Sequence, residues 1–501
     1  MRRLARDTLL MALATGISRV FGLLRDVTIA DRFGAGGMYD AFLIAFFLPV
    51  FLRQLLAEGA LSTAFIPVYT EALVVDEEAE RFANNVLSLL LILFPIVVAL
   101  GILLAPYYLP FLASGFSPEK IDLAIHLARI LFPFIALVGF AAIFMGILNA
   151  HHRFFSAALA PVCFNLGMIA GALLIAPFFS VRPIYGLALG ALLGGAGQLL
   201  FQVPALLRTG FSFRFTLRPL HPGIRVMGQL MIPALFGLAV TQINLLVDNK
   251  IASYLGDGGI SSLQYAMRLF QLPLGVFGVS IATALLPRFS AEWAKGEHDR
   301  FSAHLVDGIS TSAFILLPAM VGLYAIGPDL IRLLFEHGSF TMADSLRTAN
   351  ALTFYLAGIL PYGLVYILTR AFYAMGRTRV PLVASSCAVA ANVAFDLLLV
   401  GPMREGGLAL STSIAGGVNA MILAFFLWRQ IPLTVSLLVQ WGKIIIGTGI
   451  VFVVAWATRQ AIGGIWMSVF LPILTGGASY LFYSWKSGLL TLVTAGEDRP
   501  A

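Results

Sequence analysis

Residues 23–37 read LLRDVTIADRFGAGG, and residues 245–259 read LLVDNKIASYLGDGG. At a constant offset of 222, eight of the fifteen positions are identical: Leu23/Leu245, Leu24/Leu246, Asp26/Asp248, Ile29/Ile251, Ala30/Ala252, Gly34/Gly256, Gly36/Gly258 and Gly37/Gly259. A second echo follows in the same order, with Gly186-Leu187-Ala188-Leu189 returning as Gly407-Leu408-Ala409-Leu410. Two ordered matches point to a duplicated chain rather than to chance similarity among Gly-rich helices.

The apolar runs around these motifs fill most of the sequence. Of its 501 residues 59% are hydrophobic and 11% charged, with a mean hydropathy of +0.91. A soluble domain carries about a quarter charged residues, so a soluble enzyme is excluded, and the same numbers exclude a disordered chain. The 48 Gly and 24 Pro suit a helical membrane protein. Crossing a bilayer takes about 20 mostly apolar residues. On that measure fourteen spans are expected, at about 8–31, 40–69, 86–112, 123–149, 155–178, 185–207, 227–253, 261–286, 305–327, 347–374, 380–400, 407–428, 436–460 and 465–485. Met1-Arg2-Arg3 before an apolar stretch imitates a signal peptide, but Arg19 and Arg25 interrupt that stretch and no cleavage site follows. It reads as a retained first span.

The first motif then falls on spans one and seven, and the second on spans six and twelve. Six spans separate each pair, so the copies share one orientation. The expected fold is an all-α integral membrane protein with fourteen transmembrane helices: two parallel-repeat six-helix lobes (1–208 and 227–430), a basic amphipathic interfacial linker (209–226), and two added helices (431–501). Repeated lobes around a central site are a common transporter plan. With the N-terminus inside, 18 of the 32 Lys and Arg fall in inside loops, 7 outside and 7 within spans. This asymmetry places both termini in the cytoplasm. The basic residues are scattered in short loops, so the net charge of +7 is a topology signal and not a nucleic-acid one.

An ionisable residue inside a span is costly and by default faces a cavity or a partner. The first span carries Arg19, Arg25 and Asp26, the second Asp40 and Arg53, and the eighth Arg268. The arginines outnumber the nearby carboxylates. That suits an anionic headgroup, because guanidinium offers planar bidentate donors to phosphate. The alternative is that an arginine pairs with Asp26 or Asp40 and ties helices together. A second cluster combines Asp248 with Asn392, Asp396 and Thr412. Asp248 has Val247 where the first copy has Arg25, and Asn392 and Asp396 are spaced to share a helix face. These hard oxygen donors suit Na⁺, with a proton or a Lys250 ion pair as the other readings. No catalytic constellation is present. The seven His lack metal-site spacing, Cys163 and Cys387 lie alone in apolar runs, and no Walker A motif occurs.

Several of these residues sit in longer motifs. Ser18-Arg19-Val20-Phe21-Gly22-Leu23-Leu24-Arg25-Asp26, Phe33-Gly34-Ala35-Gly36, Asp40-Ala41-Phe42, Leu48-Pro49, Arg53, Ala57-Glu58-Gly59-Ala60 and Ala64-Phe65-Ile66-Pro67 resemble the MurJ (MviN) family. These are bacterial lipid II flippases of the multidrug/oligosaccharidyl-lipid/polysaccharide exporter superfamily. Tyr265-Ala266-Met267-Arg268-Leu269, Pro273, Gly275-Val276 and Leu285-Leu286-Pro287 are similar to it as well. The resemblance implies fourteen helices and an inner-membrane transporter, not an enzyme, for undecaprenyl-pyrophosphate-linked disaccharide pentapeptide. It implies substrate-binding roles for Arg19, Arg25, Asp26, Asp40, Arg53, Glu58 and Arg268, and a lipid-tail groove formed by the last two helices. It implies a sodium site at Asp248, Asn392, Asp396 and Thr412, as in some relatives. The implied partners are lipid II, membrane lipids and cell-wall synthesis proteins, with no nucleic acid. Gln271 departs from members that carry an acid after the eighth-span arginine. Three rival readings are an exporter of another polyprenyl-linked oligosaccharide, a drug/cation antiporter and a membrane scaffold without transport. The second would favour acidic and aromatic cavity residues over arginines, and the third would tolerate loss of the buried arginines.

Overall fold

The computed structural model describes residues 2–55, 62–73, 77–218, 221–429 and 436–490, almost all of them helical. They form two compact units, residues 1–260 with 338–340 and residues 261–337 with 341–501. The first unit holds α1 (Arg2–Phe33), α2 (Gly37–Arg53), α3 (Ser62–Ala72), α4 (Glu77–Leu112), α5 (Pro118–Leu131), α6 (Phe134–Ala150), α7 (Phe154–Ala170), α8 (Ile184–Leu207) and α9 (Pro222–Ala252). The second is built from α10 (Gly259–Pro273), α11 (Val279–Lys295), α12 (His298–Phe335), α13 (Met342–Leu356), α14 (Ile359–Ala374), α15 (Arg379–Met403), α16 (Glu405–Trp428), α17 (Ser436–Ala461) and α18 (Ile465–Ser487).

Among the described residues ten helical stretches are long and apolar enough to cross a membrane, or eleven when the pair α13 and α14, bent by 45°, counts as one span. The chain is therefore a multi-pass membrane protein. These eleven coincide with eleven of the expected spans. The other three fall on α1, on α2 with α3, and on α9.

The first repeated motif builds the same local structure twice. In the first copy α1 ends at Gly34, whose φ of +64° is the left-handed region that glycine tolerates, and α2 starts at Gly37. In the second, α9 and a short helical turn end at Gly256, with φ +82°, and α10 starts at Gly259. A Cβ on Gly34 would stand 2.4 Å from the carbonyl oxygen of Ser339. The second echo is also structural. Cβ atoms on Gly186 and Gly407 would lie 2.2 Å from Ala176 N and 2.3 Å from Leu399 O, so each glycine lets the next helix begin hard against the preceding one.

In the first unit α7 and α8 touch along glycines. A Cβ on Gly167 would meet Gly194 Cα at 2.4 Å, and one on Gly190 would meet Gly167 O and Gly171 Cα at 2.6 Å each. Small residues at such a seam let backbones approach where lipid supplies no hydrophobic drive between helices. Gly190→Ala is therefore expected to push α7 from α8 and cost about 1–3 kcal/mol. The check is the unfolding midpoint of the purified protein in detergent. An unchanged midpoint would mean that the two helices separate without penalty.

The expected interfacial linker is an extended strap over residues 211–218, followed by α9 from Pro222. One face of α4 supplies its hydrogen bonds. Asn84 accepts from Arg214 N–H and donates to Ser212 O, Asn85 does the same with Arg218, Ser88 Oγ accepts from Thr216 N–H, and Glu80 accepts from Ser212. Side-chain amides thus replace a second strand in satisfying the backbone. Phe213, Phe215 and Leu217 alternate with these residues and stay exposed.

In the second unit α17 and α18 pack against α12. Tyr480 OH donates to Phe314 O at 2.8 Å, and Arg459 Nε pairs with Asp329 at 2.6 Å. Their outer faces leave Ile445, Val453, Phe470, Leu474 and Leu481 exposed.

Candidate functional site

Arg25 lies on α1 with its guanidinium fixed from two sides. Nε and Nη2 donate to Asp26 Oδ1 at 3.0 and 2.7 Å, and Nη1 donates to Asn165 Oδ1 at 3.0 Å. Asn165, from α7, is itself held because its Nδ2 donates to Ser18 O at 3.2 Å. The Phe164 ring lies 5.9 Å from the guanidinium carbon. Three of the five N–H groups of an arginine are thus engaged, and one on each terminal nitrogen remains for a ligand. Of the two expected roles of Arg25, the structure shows the pairing with Asp26. Asn165 was missed in the sequence, where an asparagine 140 residues away carries no mark of its partner.

Asp40 sits in the first turn of α2 and is fully buried. Its Oδ2 accepts from Lys120 Nζ at 2.9 Å and from Gly258 N–H at 2.8 Å. Lys120 also pairs with Asp257 at 2.9 Å and stands 3.9 Å over the Phe116 ring. The structure thus places Asp40 in an ion cluster with Lys120 and Asp257. Nothing in the sequence singles out Lys120.

Arg19 is exposed on α1, and Arg53 is half-buried at the end of α2 beside Gln54, which accepts from Gln242 of α9. Arg268 is half-buried on α10 in the second unit. Glu58 lies outside the described residues.

Of the oxygen donors, the structure brings Asn392 and Asp396 together on α15, both buried, with Asn392 Nδ2 donating to Asp396 Oδ2 at 2.8 Å. Thr412 stands on α16, packed along α15, and its Oγ1 donates to Leu408 O at 3.0 Å. Asp248 belongs to the first unit, where Asn244 Nδ2 donates to it at 3.1 Å. Lys250 sits 3.9 Å over the Phe111 ring. A carboxylate, an amide oxygen and a hydroxyl fit a hard cation by donor chemistry. Among the described residues no group of three or more His, Cys, Asp or Glu is arranged to hold a metal ion.

The family model described as lipid II flippase MurJ matches residues 29–476. The chain belongs to the MurJ family. A probable lipid II flippase MurJ of Thermotoga maritima is 33% identical over 479 residues, covering 96% of each chain. A probable lipid II flippase MurJ of Vibrio cholerae serotype O1 is 36% identical over 434 residues, covering 84% of this chain and 82% of the relative. A solved structure of the lipid II flippase MurJ in an inward closed conformation shares 30% identity with a TM-score of 0.83, over 96% of this chain and 100% of that one. An inward-facing multidrug resistance MATE family transporter of the MOP superfamily matches at 16% identity and a TM-score of 0.70, over 84% of this chain and 98% of that one. That last likeness is one of fold.

Proposed function

We propose that this protein flips lipid II, the undecaprenyl-pyrophosphate-linked disaccharide pentapeptide, from the cytoplasmic to the outer leaflet of the inner membrane for peptidoglycan synthesis. It acts by alternating access, as a transporter and not an enzyme. The observation that carries this reading is Arg25, a guanidinium fixed by Asp26 and Asn165 that keeps donors for a pyrophosphate, in a chain of the MurJ family. Arg19, Asp26, Asp40, Arg53, Glu58 and Arg268 complete the proposed substrate set. The exposed apolar faces of α17 and α18 support a track for the lipid tail. Association with cell-wall synthesis proteins belongs to the same reading. The test is depletion in a bacterium that depends on this protein. Lipid II is expected to accumulate on the cytoplasmic side. Accumulation of another lipid-linked oligosaccharide, or of none, would replace this substrate.

The reading includes fourteen spans, parallel six-helix lobes and cytoplasmic termini. Reporters fused after His152, Phe215 and Gly296 should then read cytoplasmic, and those after Gly36, Ser117 and Gly258 external. A consistent exchange at these sites would overturn the orientation.

We also assign Na⁺ to Asn392, Asp396 and Thr412, with Asp248 tested by its own substitution. A ligand that binds only the folded protein stabilises it by about 2.7 kcal/mol at a hundred times its dissociation constant. Na⁺ should therefore raise the unfolding midpoint over K⁺ at equal ionic strength, and Asp396→Ala should remove the rise. A rise that persists in both Asp396→Ala and Asp248→Ala would discard the site.

A further inference from the structure

A cleft of about 240 Å³ opens in the first unit where α6, α7 and α8 meet at one end. Its lining includes His152, Arg153, Phe155, Ser156 and Arg208 and no acidic residue. Arg153 Nη2 donates to the Arg208 carbonyl oxygen at 2.9 Å, which pins the α6–α7 turn to the end of α8 and holds the two arginines side by side. The charge of Arg153 is felt nearby. The neighbouring His151 has its pKa pushed below the ordinary value by burial first, then by Arg153 and His152.

The turn itself is unusual. Arg153 N–H donates to Leu148 O and His152 N–H to Asn149 O, a Schellman ending for α6. The left-handed position in this motif is normally glycine, yet here it is His152, at φ +57°. A side chain is kept in the cleft at a backbone position where glycine would be easier.

Three candidate spans end or begin within a residue or two of the cleft: Pro118–Ala150, Phe154–Phe178 and Ile184–Leu207. That puts the three basic side chains at the level of lipid headgroups. Phe155 and Leu207 are exposed beside them, an apolar rim that a soluble anion would not require. We propose that this cleft binds the phosphate of an anionic phospholipid, gripped by the Arg153 and Arg208 guanidinium groups with His152 as a third donor, none of them among the proposed substrate residues.

The test uses the delipidated full-length protein, titrated with phosphatidylglycerol and separately with phosphatidylcholine, with native mass spectrometry counting bound lipid. Phosphatidylglycerol should be retained over phosphatidylcholine, and each of Arg153→Ala and Arg208→Ala should weaken it by about tenfold, the size of one charge-assisted contact. His152→Gly is the second variant, because it relieves the backbone. It should unfold no earlier than the wild type and still hold the lipid less tightly. Arg300→Ala, an exposed arginine of the second unit, should change nothing. Equal retention by the wild type and the cleft variants would overturn the site. Displacement of the lipid by inorganic phosphate would overturn its assignment to a phospholipid.

Discussion

Arg25→Ala is expected to reduce lipid II transport by about 10- to 100-fold, the loss of one or two charge-assisted hydrogen bonds to the substrate's pyrophosphate. The geometry explains why lysine should not restore it fully. Asp26 and Asn165 hold the guanidinium plane so that the remaining N–H groups face one way. An ammonium keeps the charge but has no plane to orient. Arg25→Lys should therefore fall between wild type and alanine, and Asn165→Ala, which frees one edge of the plane while sparing the charge, should do so as well. Transport is measured with the purified variants in proteoliposomes, and membrane abundance is followed in parallel. Arg25→Ala also strips two hydrogen bonds from the buried carboxylate of Asp26, so some loss of stability is expected. A fully active Arg25→Ala protein would remove this arginine from the substrate site. Low activity that only tracks low abundance would reduce it to a tie between α1 and α7.

The sequence carried part of the fold in a repeated local motif. Gly34 and Gly256 sit at one repeat position and both take positive φ, and Gly37 and Gly259 both open a helix. Hydropathy found the eleven spans that the structure bears out, since bilayer thickness sets their length. The other three expected spans fall on α1, on α2 with α3, and on α9. The charged members of the site were legible too, because a charge in an apolar run stands out. Their partners were not. Asn165 for Arg25, and Lys120 for Asp40, come from other helices at separations of 140 and 80 residues. No periodicity links residues that only tertiary packing brings together. The strap on α4 shows the same limit. Asn84, Asn85 and Ser88 are plain in the sequence, but their role as a surrogate strand for residues 212–218 depends on where the chain returns.

Asp40→Ala should be among the most destabilising single substitutions in the first unit, at about 3–5 kcal/mol, because it removes one partner of a buried pair and leaves the other charge behind. The cluster has a built-in comparison. Lys120 contacts both Asp40 and Asp257 at 2.9 Å, but Asp40 is fully buried and the Asp257 side chain is 75% exposed. The two contacts have equal length and unequal surroundings. An exposed pair contributes at most about 1 kcal/mol, so Asp257→Ala should be nearly silent. Asp40→Asn isolates the charge. The amide oxygen can still accept from Gly258 N–H, so this variant loses the ion pair and keeps the backbone contact. Combining Asp40→Ala with Lys120→Ala should cost less than the sum of the two single losses, since residues in one network do not add. Unfolding midpoints of the four purified variants, with the double mutant as a fifth, give the ranking. The same bonds bear on transport. Asp40 is also one of the proposed substrate residues. Asp40→Asn should then alter flipping more than its loss of stability alone would suggest. If Asp40→Ala proves as mild as Asp257→Ala, Lys120 is held by its exposed partner and by Phe116, and the buried carboxylate is not what locks this end of α2.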